Sequence, residues 1–312
     1  MNAPIVLFCY NRPQHTLNVL TSLSEAVLSK ESALYIYCDG LKPGASEEQE
    51  RRVNAVREIA RSRQWCNEVH IICRDRNYGL SESVIDGVTD IINRYGKVIV
   101  LEDDLVVSQN FLRYMNSALD IYEDVDDVFQ ISGYTFPIAE LSERCEAYFL
   151  GHISSWGWAT WKKAWDCFDK NAKGYESLRT NIELRNKFDF DGTRNFSAMM
   201  LDQMEKRVID SWAIRWKWSV FIREGVTLYP AKTFVLHEGT GDDATHVKRM
   251  IMDSSVLDEE FMVTSFPAET RPDTEIVAII TEYFRTVFRQ KPAKASEKKK
   301  TFWQKVISLV NR

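Results

Sequence analysis

No run of apolar residues approaches the ~18–20 needed to cross a bilayer, which sets aside an integral membrane protein. The six cysteines (Cys9, Cys38, Cys66, Cys73, Cys145 and Cys167) include no Cys-x-x-Cys pair. That scatter argues against structural zinc and for a reduced, cytoplasmic setting in which thiols serve as small core residues. A net charge of only −5 gives no general basic surface for nucleic acid. No internal repeat is visible. The first apolar segment, Pro4 to Tyr10, is short and lacks a basic lead, so it is expected to be a strand and not a signal peptide.

What is present is enough to build a large core. The chain has 312 residues, 45% of them hydrophobic and 12% aromatic, with nine tryptophans as the unusual feature. One elaborated domain or two would fit that length. Its most informative stretch is Val98-Ile99-Val100-Leu101-Glu102-Asp103-Asp104-Leu105-Val106-Val107. An apolar run of this kind suits a strand covered on both faces. It ends in three adjacent carboxylates, which repel one another unless a positive charge sits among them. Hard oxygen ligands select Mg²⁺ or Mn²⁺, ions that bridge carboxylates to substrate phosphates. The competing reading is an acidic surface turn, which apolar runs on both sides disfavour.

The same alternation runs through the first hundred residues. Strands are expected at Pro4 to Tyr10, Ala33 to Cys38 and Val69 to Cys73. Helices are expected around Leu17, Leu20 and Leu23, from Glu47 to about Arg63, and along Val84, Ile85, Val88, Ile91 and Ile92. Strand and helix in this order mean βαβ units and a parallel sheet with right-handed crossovers. Asn11-Arg12, Asp39, Arg74 to Asn77 and Glu102 to Asp104 then fall at strand ends, along one edge of the sheet, where ligands of open α/β sheets bind.

In order and spacing, Pro4-Ile5-Val6 through Asn11-Arg12, Cys38-Asp39, and Leu101-Glu102-Asp103-Asp104 through Leu112 resemble the GT-A fold glycosyltransferases. Within them the chain is similar to N-acetylglucosaminyltransferase I and bacterial family-2-like sugar transferases. The resemblance continues through Ser155-Trp156-Gly157-Trp158 to Gly241-Asp242-Asp243-Ala244-Thr245-His246, covering roughly the first 250 residues. It implies that Arg12 approaches the diphosphate or nucleotide, and that Asp39 accepts from the base. Glu102 and Asp103 would contact sugar and ribose hydroxyls, and Asp104 would ligate Mn²⁺ or Mg²⁺ directly. Residue chemistry agrees: a guanidinium suits phosphate, and an ionised Asp accepts from an imide N–H. The competing readings are a surface charge for Arg12 and, without the resemblance, a simple turn for Asp39-Gly40.

The second half is less regular. A helix is expected from Phe111 and a strand over Val128 to Ser132. Trp158, Trp161 and Trp165 recur at helical spacing, which predicts an aromatic helix face. These rings either pack a core or offer flat faces to sugars; Trp156, Trp158 and Trp212 are the candidates for acceptor contact. Residues 170–195 read as a polar acceptor-side insertion. Asp210, between Ile209 and a tryptophan-rich helix, is expected to be partly desolvated with a raised pKa. Inverting transfer needs a base opposite the departing diphosphate, and the resemblance places it at an Asp before a tryptophan. Relatives' Asp-Asp-Trp stands here as Asp210-Ser211-Trp212, which leaves a shift of one position open, and an N-cap role for Asp210 is the alternative. The glycine-rich stretch from Phe234 to His246 suits a loop closing over a nucleotide. His246 is a candidate metal or phosphate ligand, and His237 a weaker one.

The tail couples a helix from Thr274 to about Arg289 to a basic, amphipathic segment, 291–312, suited to an anionic membrane surface. The expected organisation is a nucleotide-sugar half (1–108), an acceptor half (109–265) of the same domain, and a C-terminal helix and tail (266–312). The expected activity is metal-dependent transfer of GlcNAc or a related hexose from a UDP-sugar to a glycan or lipid-linked glycan. Inverting stereochemistry and bacterial surface polysaccharide assembly on the cytoplasmic membrane face follow from the resemblance. A nucleotidyltransferase would instead carry a glycine- and basic-rich loop after the first strand, which Cys9-Tyr10-Asn11-Arg12-Pro13 is not. A glycan-binding protein without catalysis is the remaining alternative.

Overall fold

A computed structural model describes residues 1–238 and 257–287. His246, the loop around it and the 291–312 segment lie outside the described residues.

Four parallel strands carry the first hundred residues: β1 (Ile5–Cys9), β2 (Ala33–Cys38), β3 (Glu68–Cys73) and β4 (Lys97–Glu102). They are joined through helices α1 (Pro13–Glu25), α2 (Glu47–Arg61) and α3 (Leu80–Tyr95). The apolar runs are continuous because both faces are covered. Ile5, Leu7, Leu34, Ile36, Ile99 and Leu101 pack on one side with α1 and α2. Val6, Phe8, Tyr35, Tyr37, Val98 and Val100 pack on the other with α3. The period of two along each strand decides which residue meets which helix. Helix α2 starts in a reciprocal capping box between Ser46 and Gln49.

Beyond β4 a short strand β5 (Leu105–Val107) leaves the main sheet, followed by α4 (Phe111–Ile121) and β6 (Val128–Ser132). Next come α5 (Ala139–Arg144), β7 (Ala147–Leu150), β8 (Trp158–Trp161), α6 (Lys162–Trp165), α7 (Ile182–Phe188), α8 (Phe196–Leu201) and α9 (Trp212–Phe221). The described chain ends with β9 (Val226–Pro230), β10 (Val235–His237) and α10 (Thr274–Val287). The main sheet runs β3-β2-β1-β4-β8-β6-β9-β7. This is the α/β architecture of helices on a Rossmann-like sheet that the sequence implied. Its parallel character holds through β4, and then β8 runs antiparallel to both β4 and β6.

The tryptophan stretch departs from the expected helix. Trp158 to Trp161 form β8, hydrogen-bonded between two central strands, and only Lys162–Trp165 turn helical. Residues three apart on a strand face opposite sides. Trp158 therefore joins the α3 and α9 side of the core, and Trp161 the α4 side. Spacing of three fits either period over so short a run, and sheet pairing decided it. Helix α8 ends at Leu201 and passes directly into a wide π-helical turn over Asp202–Lys206.

Candidate active site

The strand ends converge as expected. Asn11, Arg12, Asp39, Asn77, Glu102, Asp103 and Asp104 line one cavity of about 600 Å³, together with Trp156, Asp210 and His237. That volume lies in the range of small-molecule sites. Two polar atoms on its lining, the hydroxyls of Tyr10 and Ser83, are buried with no hydrogen-bond partner among the described residues.

The acidic triplet sits where β4 turns into β5, with the β1 end beside it. Arg12 Nη1 lies 3.0 Å from Asp104 Oδ2 and 3.7 Å from Asp103 Oδ1. The Tyr10 amide donates to Asp103 Oδ2 at 3.4 Å. One guanidinium is not enough for three carboxyls. Burial, reinforced by Asp104 and Asp103, pushes the Glu102 carboxyl up to about 8. Burial and Asp104 push Asp103 up to about 7. At Asp104 burial acts in the same upward sense, yet His237 and Arg12 outweigh it and hold its carboxyl below the usual range.

His237 reaches that place through a pairing the sequence did not disclose. Strand β10 runs antiparallel to β5, setting His237 opposite Leu105, and the Glu238 amide donates to the Asp104 carbonyl at 2.7 Å. His237 Nε2 then lies 3.4 Å from Asp104 Oδ2, with its ring stacked on Trp156 at 4.7 Å between centroids. A three-residue strand in a glycine-rich context carries no readable period.

Among the described residues, no group of three or more His, Cys, Asp or Glu side chains is gathered to hold a metal ion. Asp104 and His237 form a pair. The donor set still fits Mg²⁺ or Mn²⁺, because such ions take one or two protein ligands and complete their shell with water and substrate phosphates. The excess of carboxyls over cations around Asp104 points the same way.

Asp39 is placed differently from the expectation. Its Oδ1 accepts from the Gly40 amide at 2.9 Å and the Tyr78 amide at 2.8 Å. Its Oδ2 accepts from Asn77 Nδ2 at 2.9 Å and the Gly79 amide at 3.0 Å. A carboxylate offers about four lone-pair sites, and the protein's own donors take all of them. Asp39 thus ties the β2 end to the turn that starts α3. That turn needs glycines: a Cβ on Gly40 would stand 2.4 Å from the Arg76 carbonyl carbon, and Gly79 has φ +75°.

Asp210 faces the cavity, with its side chain 64% exposed, so the expected desolvation is not found. Ser211, not Asp210, caps α9, its Oγ accepting from the Ile214 amide at 3.3 Å. Arg215, one turn into α9, is buried at 5% exposure and donates from Nη2 to Asp210 Oδ1 at 2.8 Å. The same nitrogen bonds the Ser81 hydroxyl. Nothing in the local sequence marks Arg215, since an Arg between tryptophans reads as one helix residue among others.

The three candidate tryptophans separate. Trp158 is fully buried and stacks on Trp212 at 5.0 Å, and Trp212 is 2% exposed with its indole bonded to Glu102. Neither offers a face to an acceptor, so both move from the acceptor set to the core. Trp156 is half-buried and lines the cavity.

No protein-family model matches the chain, and no curated protein matches it. Among solved structures it is similar to the apo crystal structure of mouse xyloside xylosyltransferase 1, at 10% identity and TM-score 0.35. That similarity covers 72% of this chain and 82% of the mouse protein's. A likeness at this level adds nothing to what the topology and the cavity state on their own. No helix among the described residues is long and apolar enough to cross a membrane.

Proposed function

We propose that the chain is a metal-dependent glycosyltransferase that moves a sugar from a nucleoside diphosphate donor to a glycan hydroxyl. The observation that carries this reading is the convergence of an acidic triplet, a guanidinium and an Arg-held carboxylate on one cavity at the carboxyl ends of parallel strands. Asp104, with His237 beside it, would hold Mn²⁺ or Mg²⁺. When bound, the ion supplies charge neutralisation for a departing diphosphate. Arg12 adds a fixed positive charge on the same side of the site. Asp210 serves as the base for the acceptor hydroxyl, and Arg215 fixes the orientation of its carboxylate. Glu102 and Asp103 lie within the cavity to accept from sugar or ribose hydroxyls. Trp156 offers the one aromatic face of the candidate three that an acceptor sugar can reach.

UDP-linked GlcNAc or a related hexose is the first choice of donor, with inverting stereochemistry and a role in bacterial surface polysaccharide assembly. These finer points rest on the sequence resemblance. Peripheral attachment to the cytoplasmic membrane through 291–312 belongs to the same proposal. The test is a thermal-shift series with UDP and Mn²⁺. At a hundred times Kd, binding should raise Tm by about 4–8 °C. Asp104→Ala should lose both that shift and Mn²⁺-dependent turnover. An equal shift in wild type and variant would remove Asp104 from the metal and nucleotide site.

A further inference from the structure

A second cavity of about 150 Å³ opens on the other side of Trp156, well above the roughly 10–15 Å³ that a single water requires. Trp156 is common to the linings of both cavities. The wall of the second is aromatic, with Tyr134, Phe136, Phe190 and Phe196 prominent, while its charged groups are all cationic or basic: Lys217, Arg194 and His152.

Lys217 is the decisive residue. It projects from α9 and is 4% exposed. Its ammonium has no carboxylate oxygen within 4.0 Å among the described residues. Its hydrogen-bond partner is His152 Nδ1, and its Nζ lies 4.3 Å from the centre of the Phe196 ring and 5.2 Å from that of Phe188. Asp189, the nearest acid by its electrostatic influence, is committed elsewhere, accepting from the Ser197 amide at 2.6 Å and the Ser197 hydroxyl at 2.5 Å. Burial pushes the ammonium down to about 7. A buried cation with no carboxylate in contact is costly, and the cost falls if an anion arrives with a ligand. A second polar atom waits in the same wall: the Tyr134 hydroxyl is buried and has no hydrogen-bond partner among the described residues.

We propose that this pocket is an acceptor subsite that seats an anionic substituent, a carboxylate or a phosphate, carried by the acceptor glycan. Lys217 and Arg194 face the charge, Tyr134 donates to it, and the aromatic wall holds the apolar face of the sugar that bears it. Trp156 stands between this subsite and the donor cavity, so an acceptor bound here presents a neighbouring hydroxyl across it towards Asp210. The acceptor role rests on the glycosyltransferase reading; the selectivity for an anion does not.

The test is calorimetric titration of the full chain with methyl glucuronide, glucose 6-phosphate and methyl glucoside, and separately with UDP and Mn²⁺. One charged probe should bind at least about tenfold tighter than the neutral glucoside, the scale of one charge-assisted bond to a buried cation. The stronger of the two identifies carboxylate or phosphate. Lys217→Met and Arg194→Gln should each reduce that preference while leaving the glucoside and UDP unchanged. Equal binding of all three probes, or a preference that survives both variants, overturns the proposal. The wild-type comparison decides the matter even if one variant fails to fold. Binding of the charged probe without UDP binding would leave the subsite standing and sink the transferase reading; the reverse would sink the subsite alone.

Discussion

Replacing Asp39 with Asn separates a structural tie from a nucleotide contact. The native carboxylate accepts four hydrogen bonds, two on each oxygen, three of them from backbone amides. An Asn carboxamide keeps one acceptor oxygen and turns the other position into a donor. Whichever way it is oriented, two of the four donors then face an N–H₂ group in a site only 7% exposed. Bonds to a charged acceptor are worth about 1.5–3 kcal/mol each, and stranded buried donors cost about 1–3 kcal/mol. Discounting for relaxation of the turn, Asp39→Asn should destabilise the fold by about 3–5 kcal/mol. That corresponds to a fall of roughly 6–12 °C in Tm for a protein of this size. Equilibrium urea denaturation followed by tryptophan fluorescence would read it as a lower midpoint at unchanged slope. If the variant unfolds within about 0.5 kcal/mol of wild type while UDP binding weakens sharply, the turn does not depend on Asp39 and the side chain is a base acceptor after all.

Lys217 predicts a pH signature. Its folded value of about 7 lies below its ordinary 10.5, so between those values the unfolded chain carries a proton the folded one lacks. Stability must then rise with pH through that window. Relative to Lys217→Met, wild type should gain about 1–3 kcal/mol between pH 7 and 9 in urea titrations; parallel pH profiles would show that the ammonium is solvated. Arg215→Met should cut turnover by about 10–100-fold, more than it changes the KM for donor, because it frees the Asp210 carboxylate and on the donor side releases only the Ser81 hydroxyl. Arg215→Lys should recover part of the loss. A changed donor KM with normal turnover would place Arg215 elsewhere in the mechanism.

The first hundred residues were readable because burial on both faces leaves an unmixed signal. The runs in β1, β2 and the 98–101 stretch of β4 are apolar without interruption, and the helices between them carry one apolar stripe each. The later strands are shorter and less distinct. β7 and β10 have four and three residues and were not anticipated as strands, since neither spans a full test of period two. The tryptophan run failed for a related reason: Trp158, Trp161 and Trp165 satisfy a helical period, but β4 and β6 offered β8 two ladders of hydrogen bonds. Pairing partners as distant as Ser132 for Trp158 and Lys97 for Trp161 are a tertiary fact, and local spacing cannot weigh them.

At the site the chemistry of a residue was legible and its partner was not. The acidic triplet could be named from type and position, because charged residues at the ends of parallel strands have few other places to go, whereas Arg12 and Asp210 were singled out through the family resemblance. What each is free to do depends on which donors reach it first. Asp39 is already saturated by its own turn, whereas Glu102 and Asp103 share one guanidinium and are left short of positive charge. His237 comes from a chain segment far from the Asp104 it touches, and Arg215, only five residues after Asp210, carries no local mark of that contact. The same test of competing partners distinguishes Lys217, whose neighbours are rings and an imidazole. A saturated acid organises its own loop, while an undersupplied acid cluster and an ammonium with no carboxylate in contact both call for a charged ligand. Trp156 lies between these two kinds of deficit, cationic demand on the Asp104 side and anionic demand on the Lys217 side. A single ligand pair that meets both, a metal-bound nucleotide on one face and an anionic sugar on the other, would bring its two reacting ends together at that ring.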